Sequence, residues 1–264
     1  DSPAPSFRKD LFPEYKEGRQ PPPEDFKPQI PLVKEFVRLL GYPVLELEGV
    51  EADDLLASMA ETILKSGGEV VLLTADKDFL QLLKPGVSIL KPVKGISEFE
   101  KLDGGTFLER FGFSPENFVT WLSLTGDSVD NIPGIPGVGE KTASSLVGRF
   151  NTVEELLANL DQLPLKIAEK LRTGEDRLKL NVELVTLKKD LPFDPALLMP
   201  RAPDSALLEK WTLRLGMKQL AKRLNLPQIP ASVSQESQGT FLLEVLRQAK
   251  DFSPLAATLE HPPF

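Results

Sequence analysis

The reading of this chain turns on LTGDSVDNIPGIPGVGEKTA, Leu124 to Ala143. Asp127 and Asp130 stand just ahead of a run punctuated by Gly134, Gly137 and Gly139, with Lys141 and Thr142 close behind. GIPGVGEKT resembles the phosphate loop G-x-x-x-x-G-K-[ST]. However, Glu140 separates Gly139 from Lys141, placing a negative charge where phosphate would sit, and no buried strand leads in. The better fit is a hairpin between two helices, WLSLTGD before the loop and EKTASSLVGRF after it. Its glycines let the backbone approach a phosphate, the first N–H groups of the second helix face that phosphate, and Lys141 and the Thr142 hydroxyl add contacts. Nothing in such a loop reads bases, so binding is expected to follow backbone and shape. Asp127 and Asp130, three apart, are expected on one helical face. Acids this close to a phosphate site repel the phosphate unless a cation stands between them.

Composition limits what that cation is. At 264 residues, 41% hydrophobic and 27% charged, the chain has the make-up of a soluble globular protein with room for a second, smaller unit. No apolar run approaches the ~18 residues of a membrane span. The start, DSPAPSFRKD, carries no signal peptide, and with no cysteine there are no disulfides, thiolate zinc sites or thiol nucleophiles, so a cytoplasmic location is expected. The single histidine, His261, is near the end and reads as tail rather than base or ligand. Chemistry must therefore run on carboxylates, lysines, arginines, hydroxyls and backbone. The chain opens on Asp1 without an initiator Met, as a piece of something longer would.

The apolar patterning predicts an α/β half followed by a helical half. Extended runs occur at VLELE (Val44 to Glu48), EVVLLT (Glu69 to Thr74) and VSILKP (Val87 to Pro92). The middle run reads as a buried parallel strand. Between the first two, EADDLLASMAETILKS places Leu55, Met59 and Ile63 on one helical face, which predicts a βαβ unit in a doubly wound, Rossmann-type sheet. From Thr106 onward helices are expected at Thr106 to Phe111, Pro115 to Leu124, Glu140 to Phe150, Val153 to Asn159, Leu165 to Arg172, Glu175 to Leu187 and Ser205 to Leu215. Near Pro227 the character changes: QIPASVSQESQG reads as a polar linker, and FLLEVLRQAK as one more helix. The expected division is an α/β core over 1–112, a helical subdomain over 113–228, and a linker with the start of a further region over 229–264.

Ligand sites in open α/β sheets lie beyond the carboxyl ends of the strands, so acids just after a strand point into one crevice. Glu51, Asp53 and Asp54 follow the first run, Asp76 and Asp78 in TADKD follow the second, and Asp127 and Asp130 come from the helical half. Each group has a plainer explanation. Acids in a helix's first turn complement its dipole, Asp76 could cap a short helix, and the TGDSVDN acids could form an exposed turn. Three groups aimed at one crevice favour a site over unrelated caps. The net charge of −8 comes from 31 basic against 39 acidic residues, and setting aside these seven acids and Asp1 leaves 31 against 31. Crowded carboxylates without histidine or thiolate select hard cations, Mg²⁺ or Mn²⁺. Two such ions ~4 Å apart can activate a water and stabilise a leaving oxygen, the chemistry of phosphodiester hydrolysis.

Four motifs, GVEADDLLAS, LLTADKDFLQL, LTGDSVDNIPGIPGVGEKTA and the opening PSFRKDLFPEYKEGR, together resemble the 5′-nuclease domains of bacterial DNA polymerase I, within the flap-endonuclease family. The resemblance implies a PIN-like α/β core, a helix-hairpin-helix element that binds duplex DNA backbone with help from K⁺, and a helical arch passed by the 5′ strand. It implies that Glu51, Asp53, Asp54, Asp76 and Asp78 serve the first of two metal ions and its surroundings, and that Asp127 and Asp130 hold the second. Asp1 matches the acid ending the family's second strand. The opening segment is the arch candidate: Arg8, Lys16 and Arg19 interleave with Phe7, Phe12 and Tyr15, a mix that grips phosphates and stacks on an unpaired base. Arg8 and Lys16 are the candidates for the scissile phosphate. Family members carry an earlier βα segment with another metal-binding Asp, which these residues do not include. The chain alone is therefore expected to bind branched or nicked DNA but to cleave it slowly. A stand-alone 5′–3′ exonuclease, a DNA-binding fragment and a nucleotide hydrolase are the alternatives; no obligate protein partner is evident.

Overall fold

The computed structural model describes residues 4–95 and 97–226. Asp1, the linker QIPASVSQESQG, the stretch FLLEVLRQAK and His261 lie outside the described residues. In chain order come α1 (Phe7–Leu11), α2 (Gln29–Leu39), α3 (Ala52–Lys65), β1 (Val70–Leu73), β2 (Val87–Lys94), β3 (Glu98–Leu102), α4 (Gly104–Phe111) and α5 (Phe118–Thr125). The two-residue strands β4 (Gly126–Asp127) and β5 (Ile132–Pro133) follow, then α6 (Glu140–Val147), α7 (Val153–Ala158), α8 (Leu165–Thr173), α9 (Glu175–Val185), α10 (Ser205–Arg214) and α11 (Lys218–Arg223). No described helix is long and apolar enough to cross a membrane.

Contacts divide the chain into two compact units, one of residues 1–20 with 46–193, the other of 21–45 with 194 onward. Within the first, β1 and β2 run parallel from Val70 opposite Val87, and β3 returns antiparallel to β2. The core is continuous from this sheet (Leu72, Val87, Ile89, Leu102) through Phe79, Phe107 and Phe118 to the helical residues Leu122, Leu156 and Leu178. The boundary expected after Gly112 is thus no break in the packing. A capping box between Asp103 and Thr106 starts α4, and Gly112 at φ 75° ends it. The rings of Phe107, Phe111, Phe113, Phe118 and Trp121 then lock α4 to α5 through stacked and edge contacts.

In the second unit, α2 meets α10 through Phe36 stacked on Trp211, with centroids 4.9 Å apart. Glu35 accepts from the Trp211 indole at 3.1 Å and from Arg214 at 2.9 Å. Gly41, at φ 87°, lets the backbone of Arg201 close in; a Cβ there would stand 2.0 Å from the Arg201 carbonyl oxygen.

Several local expectations are corrected. Val44–Glu48 forms no strand: it joins no ladder and spans the passage from one unit to the other, at Leu45–Glu46. The described sheet is mixed rather than parallel, because Glu98–Leu102 is a strand whose exposed, charged alternation gave little apolar signal. β1 is an edge strand covered on one side only; Leu72 is buried while Val71 and Leu73 are 58% and 60% exposed, so the strand is not buried on both faces. On α3 the buried face runs through Asp54, Leu55, Ala57, Ser58 and Ala60, with Met59 and Ile63 only half-buried. Small and polar residues face inward because Asp54 and Ser58 bond the chain around Lys188 and Leu191. The opening segment, expected as a helical arch, holds one short helix, α1, and then turns over residues 13–18.

Candidate metal centre

The hairpin that carries Asp127 and Asp130 is built on two glycines. Gly126, at φ 76°, ends α5, and a Cβ on it would stand 2.3 Å from the Gly134 nitrogen. A Cβ on Gly134 would in turn stand 2.3 Å from the Thr125 carbonyl oxygen. Gly134 is therefore needed for the hairpin to close, a different use from the phosphate approach expected of it. Asp127 pairs with Ile132 across β4 and β5, Asn131 turns the chain at φ 57°, and Asp127 Oδ1 accepts from Val129 N at 2.9 Å. The buried amide of Asn181 on α9 fastens the hairpin by donating to Ser123 O at 2.8 Å and Pro133 O at 2.9 Å. Asp127 and Asp130 thus meet across a turn, not on a helical face: Gly126 leaves the helix before the first acid is reached.

Asp76 caps the short 3₁₀ helix Lys77–Leu82, accepting from Asp78 N at 3.0 Å, so its plainer explanation holds. That cap also fixes Asp78 toward the hairpin. Asp78, Asp127 and Asp130 each offer an oxygen, all within 4.8 Å of one another. Asp78 Oδ1 is buried and without a hydrogen-bond partner among the described residues. Burial, then the negative charges of Asp76, Asp127 and Asp130, push the Asp78 carboxyl up to about 7. Burial and Asp76 likewise raise Asp53. An all-oxygen donor set with a buried, unpaired carboxylate oxygen fits a hard divalent cation, which would relieve both the repulsion and the lost hydration.

Around these acids stands a ring of cations. Lys16 Nζ lies 2.8 Å from Glu51 Oε2 and 3.8 Å from Asp130 Oδ2, and the Arg19 guanidinium bonds Asp130 Oδ1. The buried Tyr15 hydroxyl lies 3.0 Å from Asp130 Oδ2 and 3.3 Å from Glu51 Oε2. Burial and those two carboxylates raise its pKa. Burial pushes the Glu51 carboxyl up, but hydrogen bonds from Lys16 and Ser6 outweigh it and leave the pKa lowered. Sequence reasoning passed over Lys77, whose Nζ is 3.2 Å from Asp127 Oδ2. Its place between the acids of TADKD was the available signal. Ser6, 2.5 Å from Glu51 Oε1, and the clamp residue Asn181 left no signal of their own.

Arg8 and Asp54 are placed differently from the other candidates. Arg8, 2% exposed, donates to both oxygens of Asp54 at 2.6 and 2.8 Å and to the carbonyls of Leu184 and Thr186 at 2.7 and 2.9 Å. Asp54 Oδ1 also accepts from Lys188 N at 2.9 Å. Burial alone would lower the Arg8 pKa, but Asp54 reverses that and raises it. The expectation that Arg8 meets a phosphate and Asp54 an ion is corrected: the two form a buried tie between α1, α3 and the end of α9, because each satisfies the other.

In the glycine loop, Gly137 has φ 77°, a Cβ there would stand 2.2 Å from Lys170 Nζ, and that amine donates to the Gly137 carbonyl at 2.9 Å. Gly139 is the residue before α6, which has no side-chain cap, and open space surrounds it. Lys141 is exposed and Thr142 half-buried on the first turn of α6.

Residues 1–112 match the family described as 5′-3′ exonuclease, N-terminal resolvase-like domain, and residues 113–205 the one described as 5′-3′ exonuclease, C-terminal SAM fold. Over 236 residues the chain is 40% identical to the thermostable DNA polymerase I of Thermus thermophilus, which covers 89% of this chain and 28% of that protein. The chain thus spans little more than a quarter of that relative's length. Among solved structures, the T5 5′-exonuclease with divalent zinc ions bound is similar in fold at a TM-score of 0.60 and 23% identity, over 93% of this chain and 81% of that one. The catalytic core of Rad2 in complex with DNA substrate gives a TM-score of 0.56 and 19% identity over 87% and 78%.

Proposed function

From the premise that the chain belongs to the 5′–3′ exonuclease family, we propose that it hydrolyses phosphodiester bonds at 5′ ends and flaps of DNA in replication and repair, using two Mg²⁺ or Mn²⁺ ions. The observation that carries this reading is the convergence of Asp78, Asp127 and Asp130, with one Asp78 oxygen buried and unpaired among the described residues. Those three would hold one ion, with Glu51, Asp53, Asp76 and Asp1 serving the other and its surroundings; Asp54, consumed by Arg8, is left out. When bound, such ions activate a water and neutralise charge on the leaving oxygen. The residues of the chain supply the positioning. Lys16 and Arg19 would hold the phosphate; Tyr15, expected to stack on an unpaired base, is instead buried in the core with its hydroxyl on Asp130, and would position that acid. The loop through Gly137 and Gly139, with Lys141, Thr142 and a K⁺ ion, would grip duplex backbone without reading sequence. The T5 exonuclease with zinc and Rad2 with DNA support both partners by fold. The chain would act in the cytoplasm as the nuclease part of a longer DNA polymerase I, the name its Thermus relative carries.

Single-turnover cleavage of a 5′-labelled flap, with Mg²⁺ and with EDTA, tests the reading. Metal-dependent release of the flap is expected. Cleavage that persists in EDTA overturns it.

A further inference from the structure

We propose that the segment Tyr15–Arg19 is an internal counter-ion for the acid centre, which divalent ions displace and thereby release toward phosphate. The inference rests on the metal reading above and adds a regulation to it. Asp130 is covered on both oxygens, by Arg19 on Oδ1 and by Tyr15 with Lys16 on Oδ2, while Lys16 also holds Glu51 Oε2. One short stretch thus occupies two of the carboxylates that an ion needs. Occupancy is antagonistic for a physical reason: an ion on Asp130 would share that carboxylate with the guanidinium and the ammonium, two like charges. Asp78, whose oxygen is unpaired, is where an ion would first gain a ligand.

Only the Lys16 and Arg19 side chains need to let go. The segment's backbone is tied down by Lys16 N to Asp130 O at 2.9 Å and by Asn131 Nδ2 to Glu14 O at 2.8 Å. Lys16 sits at φ 59°, a left-handed conformation held by its own N–H bond to Asp130 O. The Arg19 side chain is 45% exposed and needs no cavity to open before it swings away. Once released, Lys16 and Arg19 lose their carboxylates and face solvent as two cations, a surface suited to a phosphate. Ion and phosphate then favour the same open state, and linkage requires each to strengthen the other.

Calorimetry of the full chain with Mg²⁺ alone, without DNA, tests the displacement. Arg19→Gln and Lys16→Gln are each expected to tighten Mg²⁺ binding about two- to fivefold, the range for a partly exposed ion pair. Lys9→Gln removes the same charge from a side chain that bonds only Pro13 O at 2.9 Å, and is expected to change nothing. Limited trypsin digestion supplies a second readout: cuts after Lys16 and Arg19 in the unsubstituted chain should accelerate when Mg²⁺ is added. Equal Mg²⁺ affinity in Arg19→Gln and the unsubstituted chain, with digestion indifferent to Mg²⁺, overturns the proposal and leaves the segment a scaffold. Equal tightening by Lys9→Gln also overturns it, as a mere net-charge effect. Absence of Mg²⁺ binding in every variant removes the metal reading itself.

Discussion

The molecule uses an arginine on an aspartate in two neighbouring regions, to opposite ends. In the frame, Arg8 on Asp54 is sealed from solvent, and both oxygens of Asp54 accept hydrogen bonds, three in all. In the centre, Arg19 on Asp130 is half exposed, and an orphaned carboxylate oxygen of Asp78 lies within reach. A fully satisfied pair fixes geometry and has nothing left to offer a ligand. A partly satisfied group with a pKa near 7 holds free energy that a ligand can release.

The contrast can be broken most sharply by substituting each region in turn. Asp127→Asn with Asp130→Asn is expected to slow flap cleavage on the order of a thousandfold, about 4 kcal/mol of barrier, with DNA binding in the absence of divalent ions nearly unchanged. Equal losses of binding and cleavage would erase the distinction. Asp54→Ala strands the Arg8 charge in the interior and should cost about 3–5 kcal/mol of stability. For a chain of this size that lowers Tm by roughly 10 °C, readable by circular dichroism. An unchanged melting curve would mean that the frame is not held by this pair.

A smaller effect sharpens the role of Asp78. Its carboxyl titrates at about 7 in the folded protein, against an ordinary value near 3.9. Between those values the folded state keeps a proton that the unfolded chain has shed. The resulting contribution to stability is full below the unfolded value and lost as pH rises through about 7. An entering ion must expel that proton, so Mg²⁺ affinity at pH 6 should be about five- to tenfold weaker than at pH 7.5. Calorimetry at the two pH values checks this; a flat profile would take Asp78 out of the centre. The smallest effect belongs to the loop. Gly137→Ala forces a Cβ into a left-handed conformation and against the flexible end of Lys170, at about 1–2 kcal/mol. Duplex affinity should fall alike for every DNA sequence in a gel-shift series, whereas a base-dependent change would contradict backbone binding.

The sequence by itself determined the helices of the second half from α4 to α10, though not α11, and the hairpin between α5 and α6. Those features are local: caps such as Asp103, breaks such as Gly126 and Gly112, and apolar periodicity act over a few residues. It also marked Asp78, Asp127 and Asp130 by residue type, since carboxylates without histidine or cysteine leave few other chemistries. Tertiary structure alone decided which acids remain free. Asp53 and Asp54 are adjacent in EADD, yet one is raised in pKa by burial and Asp76 while the other is consumed by an arginine 46 residues away. Arg8 and Arg19 lie in one basic segment, yet one closes on the frame and the other on the centre. Val44–Glu48 has the composition of a strand and forms none, because a strand exists only where another offers its backbone. Pairing, burial and the partner of each charge are properties of residues distant in the chain, and no local pattern encodes them.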